Sequence, residues 1–525
     1  MKQTRRRFIQ VLGLGATALA MGGVGCLRAN KRPNILLAIA DDQSWPHTGA
    51  YGSKIVQTPA FDRVAREGIL FNHGFCPAPQ CSPARAALLT GKNIWQLEEA
   101  GTHASYFPTK FQVYPDLLEA AGYFVGYTGK PWSPGNWQGS GWKRNPVGVA
   151  YNELQMGQVP ATGINKQDYA GNFEAFLEDR SEGQPFCFWY GSREPHRNYE
   201  AGSGQKAGKE LGDAQVPPFL PDNDLIRSDL LDYGLEIDWF DRHLGSMIKM
   251  LESRGELDNT LIVVTADNGM PFPRAKANLY DKGIHVPLAI RWGDHISGGL
   301  VLDDFVSFID FAPTFLEAAG LPVPDEMTGR SLMPLLTAMG AGLVNKNRDH
   351  VLTGRERHTH ARPDNVGYPA RSIRTSDYLY IRNFKPERWP AGDPGGEGYY
   401  DIDGSPSKLQ IIENRDDPSV DRLFDLSVGK RPTEELYAIG DDPDCMNNLA
   451  DDPVFSQVKS DLWAKLEQSL KDQGDPRMFG TGDIFDSYPR FSSMRGQLFD
   501  GFAERGQYNP KFLQPGQKVL GGKPL

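Results

Sequence analysis

The chain has 525 residues, 39% of them hydrophobic, and a formal net charge of −10. That length fits one large α/β domain carrying a smaller one. The acidic balance argues against nucleic acid as a partner, and an anionic substrate would need a local pocket of cations that outweighs the overall field. Past the N-terminus, no apolar stretch approaches the ~20 residues of a membrane-spanning helix.

Residues 1–30 read as a targeting segment. "TRRRFIQVLGLGATALAMGGVGC" has a basic start, an apolar core of Gly, Ala and Leu, and a small-residue end. Arg5 and Arg6 with Phe8 have the form of a twin-arginine signal. Gly25-Cys26 resembles a bacterial lipoprotein cleavage site, with Gly23 where Leu is usual. Export is therefore expected, to the periplasm or as a membrane-anchored lipoprotein of a bacterium, with the export machinery as a partner. Beyond Cys26 only Cys76, Cys81, Cys187 and Cys445 remain. That is no disulfide scaffold, and without a Cys-x-x-Cys no structural zinc site is expected.

Residues 31–365 repeat one plan: a short, continuous apolar run ending in a polar cluster. "NILLAIADDQ", "YFVGYTGKPW", "PFCFWYGSREPH" and "TLIVVTADNG" follow it, and "VPLAIRW" is a further strand. Unbroken apolar runs predict strands buried on both faces. Helical patterns lie between them, such as "TPAFDRVAREG", "VYPDLLEAAG" and the long run from Asp229 to Gly255. The alternation predicts an α/β fold with a large, mostly parallel, doubly wound sheet. Ligands of such sheets bind beyond the carboxyl ends of the strands, where the polar clusters sit.

"CSPARAALLTGK", at 81–92, reads as a helix with Pro83 in its first turn. A helix N-terminus lowers a thiol pKa, so Cys81 has three readings: an activated nucleophile, a disulfide partner of Cys76, or a small buried hydrophobe. Asp41, Asp42, Asp267 and Asn268 supply oxygen donors that suit Ca²⁺ or Mg²⁺ better than zinc or copper, and Gly269 would permit a tight turn beside them. Arg85, Lys130, Lys276 and His196 around such an ion would make a pocket for sulfate or phosphate.

From 366 to 525 the texture changes. "RSIRTSDYLYIRNF" alternates like an antiparallel strand, and "EELYAIGDDPDC" leads through a loop into an amphipathic helix. A smaller α+β domain with an antiparallel sheet is expected, closed by a Gly- and Pro-rich tail that wraps over the main body. "TGRERHTHARPDNVGYPARS", before this change, is dense in Arg and His. It reads as a solvated linker or as a substrate-recognition loop in which Arg355, His358 and His360 bind sulfate or uronate and Glu356 binds hydroxyls; the second reading is preferred.

"CSPARAALLTGK" matches the Cys-x-Pro-x-Arg signature of type I sulfatases. "ADD", "GK" at Lys130, "EPH" at His196, "ADNG", "KANLYDKGIHVP" from Lys276 and "ELYAIGDDPDCMNNLADDP" follow in family order. "DNGMPFPRAKANLY" and "REPHRNY" resemble the sulfamidase (heparan N-sulfatase) branch. The resemblance implies an alkaline-phosphatase-like sheet and oxidation of Cys81 to Cα-formylglycine by a maturation enzyme. It also implies a gem-diol that attacks sulfur, and one Ca²⁺ held by Asp41, Asp42, Asp267 and Asn268 beside residue 81. Arg85 and Lys130 would stabilise the hydrated aldehyde, Lys276 would bridge sulfate and leaving group, and His196 or Lys276 would protonate the leaving atom. The implied substrate is a sulfated glycan bearing sulfate esters or sulfamates. The oligomeric state stays open, a dimer included. One position departs: Trp132 stands where the family usually has a histidine, and it reads as a sugar-stacking face or as packing. His103 is a candidate to approach the site from a neighbouring loop. Two other functions remain: a phosphohydrolase of the wider superfamily, which would use Ser or Thr and more histidine ligands, and a catalytically impaired lipoprotein that binds sulfated glycan.

Overall fold

The computed structural model describes residues 32–394 and 398–491. The segment 1–30, with the export and lipidation expectations resting on Arg5, Arg6 and Cys26, lies outside the described residues. The strands in chain order are β1 (Asn34–Ala40), β2 (Ile69–Phe71), β3 (Gly74–Phe75), β4 (Phe124–Gly129), β5 (Val149–Ala150), β6 (Phe186–Gly191), β7 (Thr260–Ala266), β8 (Leu288–Arg291), β9 (Leu300–Leu302), β10 (Val306–Ser307), β11 (His350–Arg355), β12 (Ala370–Thr375), β13 (Tyr378–Asn383) and β14 (Glu434–Ala438).

Eight strands form the main sheet in the order β5-β4-β6-β1-β7-β8-β2-β9. β1 pairs in parallel with β6 and β7, and β4 in parallel with β5 and β6. Only β8 runs against its neighbours β7 and β2, so the sheet is mostly parallel. β1, β6 and β7 are buried along their whole length, as unbroken Ile/Leu/Val/Phe runs require when helices cover both faces. The covering helices include α1 (Pro59–Glu67), α2 (Cys81–Thr90), α3 (Tyr114–Ala120), α4 (Tyr169–Asp179), α5 (Ser203–Lys206) and α6 (Asp224–Ser253). α6 extends the expected 229–255 helix by one N-terminal turn, because Asn223 accepts a hydrogen bond from the Ile226 amide as its cap.

The second sheet is antiparallel, in the order β11-β12-β13-β14. "RSIRTSDYLYIRNF" is therefore a hairpin of two strands, β12 and β13. β11 contributes an edge strand from His350, upstream of the expected boundary at 366. Among the described residues, those from Pro33 to Phe491 pack as one unit. The tail to Phe491 lies over this body, its Phe491 amide donating to the Ala104 carbonyl at 2.7 Å. Among the described residues, no helix is long and apolar enough to cross a membrane.

Candidate active site

Because β1, β4, β6 and β7 run in one direction, their carboxyl ends meet at one edge of the sheet. Asp41 and Asp42 leave β1, Lys130 follows β4, His196 follows β6, and Asp267 and Asn268 leave β7. Two backbone features aim these side chains. Asp42 holds a left-handed φ of 76°, an uncommon conformation for a non-glycine residue and one that clusters at functional sites. Gly129 has φ +80°, and a Cβ there would lie 1.9 Å from the Gly191 carbonyl, so only glycine lets β4 turn into Lys130 beside β6. Gly269 is needed for a different reason than its turn: a Cβ would meet the Lys282 carbonyl at 1.9 Å.

Cys81 is the first residue of α2, a helix buried along its whole length. Its Sγ lies 3.4 Å from Asp41 Oδ1 and 3.9 Å from Asp42 Oδ1. Asp41, Asp42, Cys81 and Asp267 each offer one ligand atom, all within 4.8 Å of one another. Lys130 Nζ donates to both oxygens of Asp41, at 2.7 and 2.5 Å. Arg85 Nε donates to Asp267 Oδ2 at 2.8 Å, and its Nη1 to the Lys130 carbonyl at 2.7 Å. Lys276 Nζ donates to Asp42 Oδ2 at 2.5 Å. His196 donates from Nδ1 to the Arg197 carbonyl at 2.7 Å, which leaves Nε2 to face Asp42 Oδ2 at 3.8 Å.

Charges on this edge are balanced by pairing. Burial pushes the Asp41 carboxyl up, but the Lys130, Arg85 and Lys276 cations, with His196 beside them, outweigh it and hold it well below the usual carboxylate range. Asp267 is pushed up to about 6 by burial and by the nearby Asp41. Burial, with Asp267 and Asp41 beside it, raises the Cys81 thiol far above its ordinary value. The helix N-terminus therefore does not yield a thiolate here, because burial, reinforced by the carboxylates, outweighs it. Nor is Cys81 disulfide-bonded: Cys76, Cys81, Cys187 and Cys445 are all free and buried.

These donors fit a hard divalent cation. Three carboxylates converge with an amide, and Asn268 Oδ1 is buried with no hydrogen-bond partner, while its Nδ2 donates to Asp42 Oδ1 at 2.7 Å. An oxygen left without a donor among carboxylates is what a cation ligand needs.

The outer candidates divide. His103 and His358 are both buried and meet edge to face with ring centroids 4.6 Å apart. His103 Nδ1 has no hydrogen-bond partner, and the charges of Lys130 and Lys276 reach its ring. His360 is half-buried. Trp132 is corrected from a stacking face to packing. At 0% exposure it has no face for a sugar; its Nε1 donates to the Ser82 carbonyl at 3.0 Å, and Phe107 packs edge-on to it. Arg355 and Glu356 are also corrected. Arg355 is buried against Asp401 at 2.8 Å and under Tyr368. Glu356 is buried between Arg371 at 2.8 Å and Arg477 at 2.6 Å, so its oxygens are spent within the fold. One residue at the site carried no sequence signal, Asp403, whose Oδ2 lies 3.1 Å from Lys276 Nζ. It stands two residues after Asp401 in "YYDIDGSPS", without a motif to mark it.

The comparisons agree with this geometry. The sulfatase family model matches residues 33–321, and a model described as N-sulphoglucosamine sulphohydrolase, C-terminal, matches 274–414. The chain belongs to the sulfatase family. It is a hydrolase of sulfuric esters. It is 29% identical over 495 residues to human N-sulphoglucosamine sulphohydrolase, covering 86% of this chain and 92% of that protein. It is 28% identical over 464 residues to an ulvan-active sulfatase of Formosa agariphila, covering 85% and 81%. A structure described as a complex with its substrate D-glucosamine-2-N,6-O-disulfate shares the fold with a TM-score of 0.62 at 22% identity, covering 85% of this chain and 99% of that one.

Proposed function

We propose that the protein releases sulfate from sulfate ester or sulfamate groups of a sulfated glycan. Residue 81 would be matured to Cα-formylglycine by a generating enzyme, and Asp41, Asp42, Asp267 and Asn268 would hold one Ca²⁺, or Mg²⁺ in its place. The observation that carries this reading is the position of Cys81 Sγ, 3.4 and 3.9 Å from two carboxylates that are themselves clamped by Lys130 and Lys276. Sγ stands in for the hydroxyl oxygens of the hydrated aldehyde. As a thiol it is held neutral, so the unmodified side chain is a poor nucleophile.

Oxidised and hydrated, residue 81 presents two hydroxyls on one carbon, one to attack sulfur and one to expel sulfate. A bound divalent cation supplies Lewis acidity, easing loss of a hydroxyl proton and polarising a sulfate oxygen. The remaining work falls to this chain's own side chains. Lys130 and Arg85 neutralise charge at residue 81 and fix it against Asp41 and Asp267. Lys276 reaches from Asp42 toward the leaving group, and His196 Nε2, opposite the Nδ1 that is fixed by the Arg197 carbonyl, is placed to carry a proton to the leaving atom. His103, His358 and the half-buried His360 take the glycan side.

The names of the relatives, which act on N-sulphoglucosamine, glucosamine disulfate or ulvan, support a sulfated glycan substrate. The N-terminal segment supports export to the periplasm or anchoring as a lipoprotein. Peptide mass analysis of residue 81, after expression with a maturation enzyme, tests the reading together with sulfate release from defined sulfated saccharides. An aldehyde at 81 and sulfate release that a chelator abolishes are expected. Turnover by a protein with an intact thiol at 81, or release of phosphate in place of sulfate, would overturn it.

A further inference from the structure

Outside the residues the family motifs mark, one carboxylate points into the same pocket. We propose that Asp403 selects the leaving atom, favouring sulfate carried on nitrogen over sulfate carried on oxygen. The inference rests on the proposed function and names the substrate class for that site.

The pocket has a direction. Asp41, Asp42, Asp267 and Arg85, around Cys81, are at most 1% exposed, Lys276 is 5% exposed, and Asp403 and His196 are 20% and 38% exposed. Sulfur is attacked at the closed end, so the leaving atom lies toward the open one. Asp403 sits there, its Oδ2 paired with Lys276 Nζ at 3.1 Å and one of its carboxylate oxygens within 4.8 Å of ligand atoms of His196 and Asp42. Asp403 thus faces the two groups that handle the leaving atom, and brings a negative charge to both.

The two sulfate linkages leave different charges. A sulfamate and water give a protonated amine and sulfate dianion: the N–S bond breaks with its electron pair on nitrogen, both hydrogens of water end on nitrogen, and its oxygen ends on sulfur. A sulfate ester and water give a neutral alcohol, sulfate dianion and a free proton. A carboxylate beside the leaving atom stabilises the ammonium that develops in the first case. In the second it opposes negative charge building on the alcohol oxygen. Asp403 comes from the segment between β13 and the helix Pro406–Glu413, so this preference would be set by the C-terminal part of the chain, apart from the nucleophile and the metal ligands.

Glucosamine N-sulfate and glucose 2-O-sulfate differ at one ring position in the leaving atom alone. With the matured full-length enzyme, kcat/KM should favour the N-sulfate. Asp403→Asn should lower kcat/KM on it by roughly 10²-fold while changing the 2-O-sulfate by less than about threefold, and Asp403→Glu should restore part of the loss. Equal losses on both substrates, no loss on either, or a parent enzyme that prefers the 2-O-sulfate would overturn the proposal. Calorimetric binding of glucosamine against glucose gives a readout free of turnover: the parent should prefer the charged sugar, and Asp403→Asn should lose that preference. If neither sulfate is released by the parent, the proposed function fails, and this binding preference alone decides the role of Asp403.

Discussion

The indole N–H of Trp132 donates to the carbonyl of Ser82 at 3.0 Å, one residue after the nucleophile position. Trp132 follows Lys130 by two residues, so one short segment sets both the cation that pairs with Asp41 and the prop under the first turn of α2. A side chain where the family pattern expects histidine has thus become a support.

Replacing that support should affect chemistry more than substrate affinity. Trp132→Phe keeps a ring against Phe107 and loses the bond to Ser82, which should cost about 1 kcal/mol of stability. Trp132→Ala opens a cavity and should cost about 3–5 kcal/mol. In Trp132→Phe, kcat should fall by roughly 10- to 100-fold as the α2 N-terminus shifts, with KM little changed. A raised KM at unchanged kcat would restore the sugar-stacking role. Steady-state kinetics with a urea titration of each variant reads both effects.

The divalent site should show itself without turnover. A cation bound only by the folded chain stabilises it by about 2.7 kcal/mol at a hundredfold excess over Kd. Calcium added to chelator-treated protein should therefore raise the thermal midpoint, and chelator should reverse the rise. Asp267→Asn should abolish the calcium-dependent part, because it removes one of the carboxylates gathered around Cys81. A midpoint indifferent to calcium and magnesium in the parent would count against the assignment.

What was legible in the sequence was whatever sits at a strand end. Asp41, Asp42, Lys130, His196, Asp267 and Asn268 follow apolar runs that can only be buried strands, and parallel pairing brings such ends to one edge. What was not legible depended on partners far along the chain. Glu356 and Arg355 stand in a charge-dense stretch that reads as a substrate-recognition loop or a solvated linker, yet Glu356 pairs with Arg477 and Arg355 with Asp401 in the interior. Asp403 becomes visible only once Lys276, more than a hundred residues earlier, is placed beside it. The reversal of β8 is likewise a matter of pairing, since a strand of four residues carries no sign of its direction.

Glu356 gives a direct contrast between a fold role and a substrate role. Its Oε1 accepts from Arg371 and Arg477 at 2.8 Å each, and Arg371 also holds Asp475 at 2.7 Å, all with side chains at most 3% exposed. Glu356→Gln leaves two buried guanidinium groups short of charge and should cost about 3–5 kcal/mol. At a temperature where the variant stays folded, KM for the glycan should match the parent. A normal melting midpoint with a raised KM would return Glu356 to the substrate.

Acid should weaken the fold through His243. Burial, against the pull of Asp168, holds its imidazole down at about 4, and Nδ1 accepts a hydrogen bond from the Ala170 amide at 3.3 Å, which requires the neutral ring. In the unfolded chain the same ring titrates near its ordinary 6.5. Between these values the unfolded chain takes up a proton that the folded one does not. Stability is therefore present in full above pH 6.5 and is lost as pH falls toward 4, by up to about 1.4 kcal/mol per pH unit. Asp241, two residues earlier on α6, works in the opposite sense: burial raises it to about 7, so the folded state holds its proton as pH falls through that value. The two can be separated by substitution. His243→Gln keeps an acceptor for Ala170 but cannot titrate, so its urea midpoint should fall less steeply than the parent's between pH 6.5 and 4.5. Parallel curves for parent and variant would remove His243 as a source of acid lability.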